Sequence, residues 1–222
     1  MSTFATIRSY QELRKAGRVF HGKVLKMIPR PVIVSTATEL GLWRKGGLVA
    51  GEDDADVLAD RMIYDKRWAG KSALEHFEDE VAESAWTEDE RRFARAMRTA
   101  YASLFEIVDV CPGSHVVLID RLVGARSGET GPRIELADLG LSETALPGAL
   151  LAARLLDAGE FSMSTGVGFP FPADREAAIL RYLGDREPGF RKNRLDMPED
   201  YSLFFYRLHR RFGIGVAYGP EA

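Results

Sequence analysis

The chain's only cysteine, Cys111, stands four residues before His115, one of its four histidines. A thiolate beside an imidazole is raw material for a nucleophile pair or for half a metal site. Both residues, however, flank Pro112-Gly113 in YASLFEIVDVCPGSHVVLID, where two apolar runs of strand length meet at a turn signal. That context reads as a hairpin whose corner carries them. A zinc site would need two further nitrogen or sulfur ligands, and only His21, His76 and His209 remain to supply them.

Other residues raise the same choice between chemistry and surface. His76 and Glu80 stand four apart in a helical pattern, with Glu83 beyond, a spacing that can hold a divalent ion on one face. Glu75, Glu78 and Asp79 surround them, so these residues equally make a solvated acidic face. The loop GARSGETG presents Arg126, Ser127, Glu129 and Thr130 among glycines. It lacks the Gly-Lys-Ser/Thr ending of a phosphate loop and no helical pattern follows, which leaves a flexible strand connection and a candidate interaction surface. Arg207, Arg210 and Arg211 lie beside aromatics in FFYRLHRRFG, as in RNA-binding surfaces, yet they also sit where a helix places cations to complement its own dipole. Asp109 and Asp120 fall on neighbouring strands as a carboxylate pair that nothing in the sequence selects. Gly-x-Ser-x-Gly, His-Glu-x-x-His, Walker and dinucleotide motifs are all absent from the sequence. No catalytic residue, metal or cofactor is therefore assigned.

The elements that must position these residues are legible in the pattern. Three capping boxes, Ser9 with Glu12, Ser72 with Glu75 and Thr87 with Glu90, each precede apolar residues at helical spacing. The first leads Leu13, Gly17, Phe20, Val24 and Ile28 toward Pro29 and Pro31. DDADVLADRMIYDK reads as a short helix with acids crowded into its first turn. The segment from Val32 to Leu42 is ambiguous: Pro31 suits a helix start, whereas Val32-Ile33-Val34 favours a strand.

From Leu104 the period changes. Runs at 104–110, 115–120, 134–138, 150–156 and 161–165 have strand length and are separated by turn signals. Helical patterns return at Asp174–Leu183 and Glu199–Phe212, the latter followed by Gly213 as a C-cap. The expected fold is α+β: a helical region over 1–103, a small five-stranded antiparallel β-barrel or curled sheet over 104–171, and C-terminal helices over 172–222 packed back on it.

The totals are those of a globular protein, with 222 residues, 45% hydrophobic and 28% charged, long enough to bury a proper core. No apolar run reaches the roughly 20 residues that span a bilayer, the N-terminus lacks a signal-peptide h-region, and a lone cysteine fits a reducing compartment. The expectation is a cytoplasmic location without membrane contact. Charge is uneven: residues 1–50 hold nine Lys/Arg against two acids, and residues 51–100 hold fourteen acids against eight bases. Either the two stretches fold onto one another, or the basic one faces nucleic acid.

The stretches MIYDKRWAGKSALEHFEDE, TEDERRFARAMRTAYASL and FEIVDVCPGSHVVLIDRLVGAR resemble a group of uncharacterised bacterial proteins. In that group a helical region with a Gly-x-Ser/Thr-x-Leu-Glu-x-Phe signature precedes a small β-rich module. Gly70, Ser72, Leu74, Glu75 and Phe77 match the first part; Phe105, Pro112, Gly113, Asp120 and Gly124 match the second. Gly148 with Ala153-Arg154 resembles the module's closing strand. The resemblance covers about residues 62 to 156 and implies architecture. Many such proteins end in a zinc-binding SEC-C motif linked to protein contacts, and the YGPEA ending has no such cysteines. The leading expectation is a protein-binding or adaptor module acting through the barrel rim and the Gly124–Gly131 loop. Nucleic-acid binding through the basic N-terminal region and Arg207, Arg210 and Arg211 is the alternative, and an enzyme with an unfamiliar site is a third.

Overall fold

In the computed structural model the described residues are 3–123, 130–186 and 201–214. Helix α1 (Thr3–Leu25) ends ahead of Pro29, and α2 (Arg30–Glu39) follows with Pro31 in its first turn. The ambiguous segment is thus helical. Its threonine hydroxyls donate back one turn, Thr36 Oγ1 to the Val32 carbonyl and Thr38 Oγ1 to that of Val34, both at 2.7 Å, which keeps them from competing for other backbone groups. A two-residue hairpin, β1 (Trp43–Arg44) and β2 (Gly47–Leu48), leads to α3 (Glu52–Asp60), whose last turn widens into a π-turn over Arg61–Asp65. A second tiny hairpin, β3 (Arg67–Trp68) and β4 (Lys71–Ser72), precedes α4 (Ala73–Glu80), and α5 (Glu88–Arg98) completes the helical half.

Two of the three capping boxes form: Ser72 with Glu75 starts α4 and Thr87 with Glu90 starts α5. The Ser9–Glu12 start does not occur, because α1 already runs through Ser9, whose hydroxyl accepts from Arg92 Nη1 at 2.9 Å. The basic N-terminal stretch does meet the acidic middle, at Lys23 and Glu90, 2.5 Å apart.

The β module comprises β5 (Tyr101–Cys111), β6 (His115–Asp120), β7 (Arg133–Ala137), β8 (Leu150–Asp157) and β9 (Ser162–Phe171). They form one sheet in the order β5-β6-β7-β9-β8, closing through β8 and β5. The sheet is mixed and not, as expected, antiparallel throughout: β7 and β9 run parallel and meet only at Leu136 and Ser162. A parallel neighbour requires a crossover, and the chain makes it by running up β8 before β9. That crossover contains a helix the sequence reading lacked, α6 (Leu139–Thr144), started by Asp138 as N-cap. Strand β9 also runs past the expected 161–165 to Phe171, so the GVGFPF stretch is strand. Helix α7 (Glu176–Arg186) follows, and α8 (Tyr201–Phe212) ends with the Gly213 N–H bonded to the His209 carbonyl at 2.7 Å.

Two cores result. Phe105, Val116, Leu118, Leu136, Leu151 and Leu155 fill the inside of the sheet. The outer face of β8 joins the helices in a larger core, where Phe20 sits edge-on to Phe77, Trp86 and Phe93. Helix α1 comes close to α5 because Gly17 faces the Phe93 ring, with which a Cβ there would overlap.

His21, one residue from Phe20, bonds Tyr64 Oη through Nε2 at 2.9 Å, and burial lowers its pKa to about 4. Between that value and the ordinary one near 6.5 the unfolded chain takes up a proton that the native state refuses, so stability falls as pH falls. From pH 7 to pH 5 this group removes about 2 kcal/mol. His21→Phe should lack that loss when urea unfolding is followed across the same range; an unchanged pH slope would show that His21 titrates normally in the folded protein.

Candidate functional site

Strand β8 reads LLAARLLD and is buried on both faces. Alternation sends Leu151, Ala153 and Leu155 inward and Leu150, Ala152, Arg154 and Leu156 outward under the helices. Arg154, 8% exposed, is therefore a guanidinium inside the larger core, where an unpaired charge costs several kcal/mol. Two carboxylates answer it: Asp65 bonds its Nη2, and Asp60 Oδ2 lies 3.5 Å from Nε. The π-turn makes the double contact possible. Its i to i+5 bonding, seen in Lys66 N–H donating to the Arg61 carbonyl at 3.1 Å, brings residues five apart to one side of the helix.

Helix α8 closes the cluster. Ser202 donates its hydroxyl to Asp60 Oδ2 and its backbone N–H to Asp65 Oδ2, each at 3.2 Å. Tyr201 donates its hydroxyl to the Ser103 carbonyl at 2.7 Å, and the guanidinium lies over the Tyr64 ring, 4.8 Å from its centre. Burial opposes the charge on Arg154, but Asp60 and Asp65 outweigh it and its pKa is raised. At Asp65 burial wins over Arg154 and the pKa is raised too. Behind them Arg61 and Lys66 both bond Glu39, at 2.6 Å, and hold its carboxyl below the ordinary range despite burial. These charges answer one another across three elements, which is the behaviour of a structural tie.

A different arrangement lies where the sheet is least complete. After the single β7–β9 pairing, Asp138 turns the chain into α6 while β9 continues along β8 alone. Between the pairs Ala153–Gly168 and Leu155–Ser164, the residues Thr165, Gly166 and Val167 oppose Arg154 alone, a bulge of the kind that re-aims side chains beside functional sites. The gap between β9 and α6 is a cavity of about 510 Å³. Ile107, Leu151 and Ala153 bring the inner face of the sheet into it, and Leu141 and Val167 form apolar walls. Leu146 and Ile214, 69% and 38% exposed, sit at its edge.

Among the described residues four polar side chains line the cavity; Thr144 is spent on the Gly140 carbonyl at 3.2 Å, and Arg14, Asp138 and Ser164 are linked to one another. Arg14 of α1 donates from Nη1 to the Ser164 carbonyl at 2.6 Å. Ser164 donates its hydroxyl to Asp138 Oδ2 at 2.9 Å, and the Leu141 N–H donates to Asp138 Oδ1 at 3.0 Å. Gly166, at φ 106°, admits the guanidinium, since a Cβ there would stand 2.8 Å from Arg14 Nη2. Among the described residues no carboxylate oxygen comes within the 4.0 Å of an ion pair with Arg14, and the remaining donors of its fork are unspent.

The residues singled out from sequence lie elsewhere. Cys111 and His115 face each other across the β5–β6 hairpin; Cys111 is exposed, and His115 Nδ1 lies 3.0 Å from Ser114 Oγ. His76 stacks on Trp68, with ring centres 4.3 Å apart, and its Nε2 contacts the Trp68 carbonyl at 2.9 Å, while Glu80 is exposed. No group of three metal-ligating side chains occurs among the described residues. Asp120 receives the Ser103 hydroxyl and the Leu122 and Val123 N–H groups, whereas Asp109 is exposed and 4.0 Å from Arg133. Arg126, Ser127 and Glu129 lie outside the described residues, and Thr130 is exposed. Arg207 donates to the Glu39 carbonyl at 3.0 Å, Arg210 to Tyr206 Oη at 2.8 Å, and Arg211 lies over the Phe212 ring.

Sequence reasoning missed Arg14, Asp138 and Ser164. Arg14 is one of several cations along α1 and carries no mark of its own. Asp138 three residues before Leu141 was a readable N-cap, and the paired glycines of STGVGF were a readable bulge signal.

The chain belongs to a family of unknown function, DUF7986, whose match covers residues 5–219. No curated protein and no solved structure matches it.

Arg154→Met should destabilise the protein by about 3–5 kcal/mol in urea unfolding, because it strands two buried carboxylates. Adding Asp60→Asn and Asp65→Asn should recover much of that loss. A single-variant effect below about 1 kcal/mol would contradict the tie.

Proposed function

We propose that this DUF7986 member is a binding protein and that the cavity between β9 and α6 is its ligand site. The observation that carries this reading is Arg14, fixed by the Ser164 carbonyl and seated on Gly166, with donors that no described residue engages, at the edge of an apolar cavity. A volume of 510 Å³, mostly apolar walls and a few fixed polar groups are the ordinary constitution of a small-ligand pocket. Binding suits the lining better than acyl chemistry does. Its described residues include neither histidine nor cysteine, and the one hydroxyl beside a carboxylate among them, Ser164, faces an Asp138 already held by the Leu141 N–H.

Contact with another protein, the adaptor role expected from sequence, gains support at the same place, since Leu146 and Ile214 expose apolar surface at the cavity edge. Nucleic-acid binding gains less. Arg207 and Arg210 are engaged within the chain, and Lys23 is paired with Glu90.

An anionic aromatic dye, 8-anilinonaphthalene-1-sulfonate, tests the reading. The native protein should bind it saturably at one site, and Ala145→Trp, which fills the cavity from its partly exposed wall, should abolish binding while leaving the melting temperature nearly unchanged. Equal dye binding by both proteins, or none by the wild type, would contradict it.

A further inference from the structure

Resting on that reading of the cavity, we infer that its ligand is an amphipathic monocarboxylate. The carboxylate lies on the Arg14 fork, and the apolar body lies against Ile107, Leu151 and Ala153. Each part of the claim has its own ground. Arg14 is held at the boundary between polar edge and apolar floor by a short bond to a backbone carbonyl, which brings no countercharge; Asp56 acts on it electrostatically, but among the described residues not at ion-pair distance. A planar guanidinium with spare parallel N–H groups matches a carboxylate in bidentate geometry.

Asp138 decides the charge of the ligand. It faces the same cavity, and its two oxygens each accept a bond, from the Ser164 hydroxyl and from the Leu141 N–H. An ammonium group would have to compete with both donors for it. A dianion such as a phosphate monoester would meet one lining cation, with Asp138 in the lining and Asp56 within electrostatic reach of Arg14, a poor balance; a single negative charge on Arg14 is the best match. The apolar floor then selects for a hydrocarbon body, because Ile107, Leu151 and Ala153 offer a charged or hydrated group nothing to bond.

The Gly166 bulge makes the cation part of a built site. The bulge and its positive φ bring backbone under the guanidinium where any side chain would displace it.

The test compares octanoate, octanol and octylamine at pH 7 by calorimetry, on wild type, Arg14→Gln and Ala145→Trp. Octanoate should bind wild type about tenfold or more tightly than octanol. Arg14→Gln should erase that advantage and leave octanol binding unchanged. Should Arg14→Gln unfold, Arg14→Lys serves instead: it keeps the charge, loses the fork, and should retain only part of the preference. Octanoate binding no tighter than octanol, octylamine binding tightest, or a preference that survives Arg14→Gln would each overturn the carboxylate assignment. Where octanol or octylamine still binds and Ala145→Trp blocks it, the cavity stands as a binding site and only the ligand class falls. If none of the three binds wild type, both readings fall.

Discussion

A single guanidinium on a strand buried from both sides organises this molecule. Arg154 could not occupy the outer face of β8 without carboxylates delivered to it through the helical layer. One helix delivers two of them only by breaking its own period, and the π-turn after α3 is that break. Ser202 at the start of α8 then bonds one oxygen of each carboxylate, which ties the last helix to the pair. Helices, sheet and C-terminal element are thus held by one charge cluster as well as by area. Buried ion pairs add less to stability than their geometry suggests, and their better-attested contribution is to set register. Here the register is that of β8 against the helices.

The same point on β8 is where its partner strand departs from regularity. Opposite Arg154, β9 spends three residues on a bulge, and beyond it the strand has β8 on one side and no regular neighbour on the other. A five-stranded sheet that closes through one parallel contact leaves a gap at that seam. Helix α6 covers part of the gap, and what is left is the cavity. Arg14 reaches it from α1, so the polar group of the site comes from the helical half and its floor from the sheet. The site exists only because both halves are docked, and the Arg154 cluster is part of what docks them.

What the sequence made legible was local. The capping boxes at Ser72 and Thr87, the apolar face of α5 and the Pro112-Gly113 hairpin depend on residues within a turn of one another, and they stand as read. The Ser9 box failed because a helix already begun does not need a cap, and residues upstream of Ser9 decided that. The parallel closure of β7 on β9 is set by a crossover of some twenty-five residues and left no local mark. Asp60, Asp65 and Arg154 looked like ordinary charges in sequence, and they are partners at separations of about ninety residues. An arginine inside LLAARLL was nonetheless an anomaly worth a question, since charges are rarely fully buried unless paired. Of the candidate site, Gly166 and Gly168 as irregular strand and Asp138 as a cap were readable from neighbouring residues, though neither was read. Arg14 was not visible at all, because its role depends on a carbonyl 150 residues away.

The most direct test of the account is to see where an apolar anion sits. Methyl-labelled protein titrated with octanoate and followed by NMR should show its largest shifts at Ile107, Leu141, Leu151, Ala153 and Ile214. Shifts confined to other exposed apolar residues, such as Leu48 and Val49 of the first hairpin, would contradict the seam cavity as the binding site.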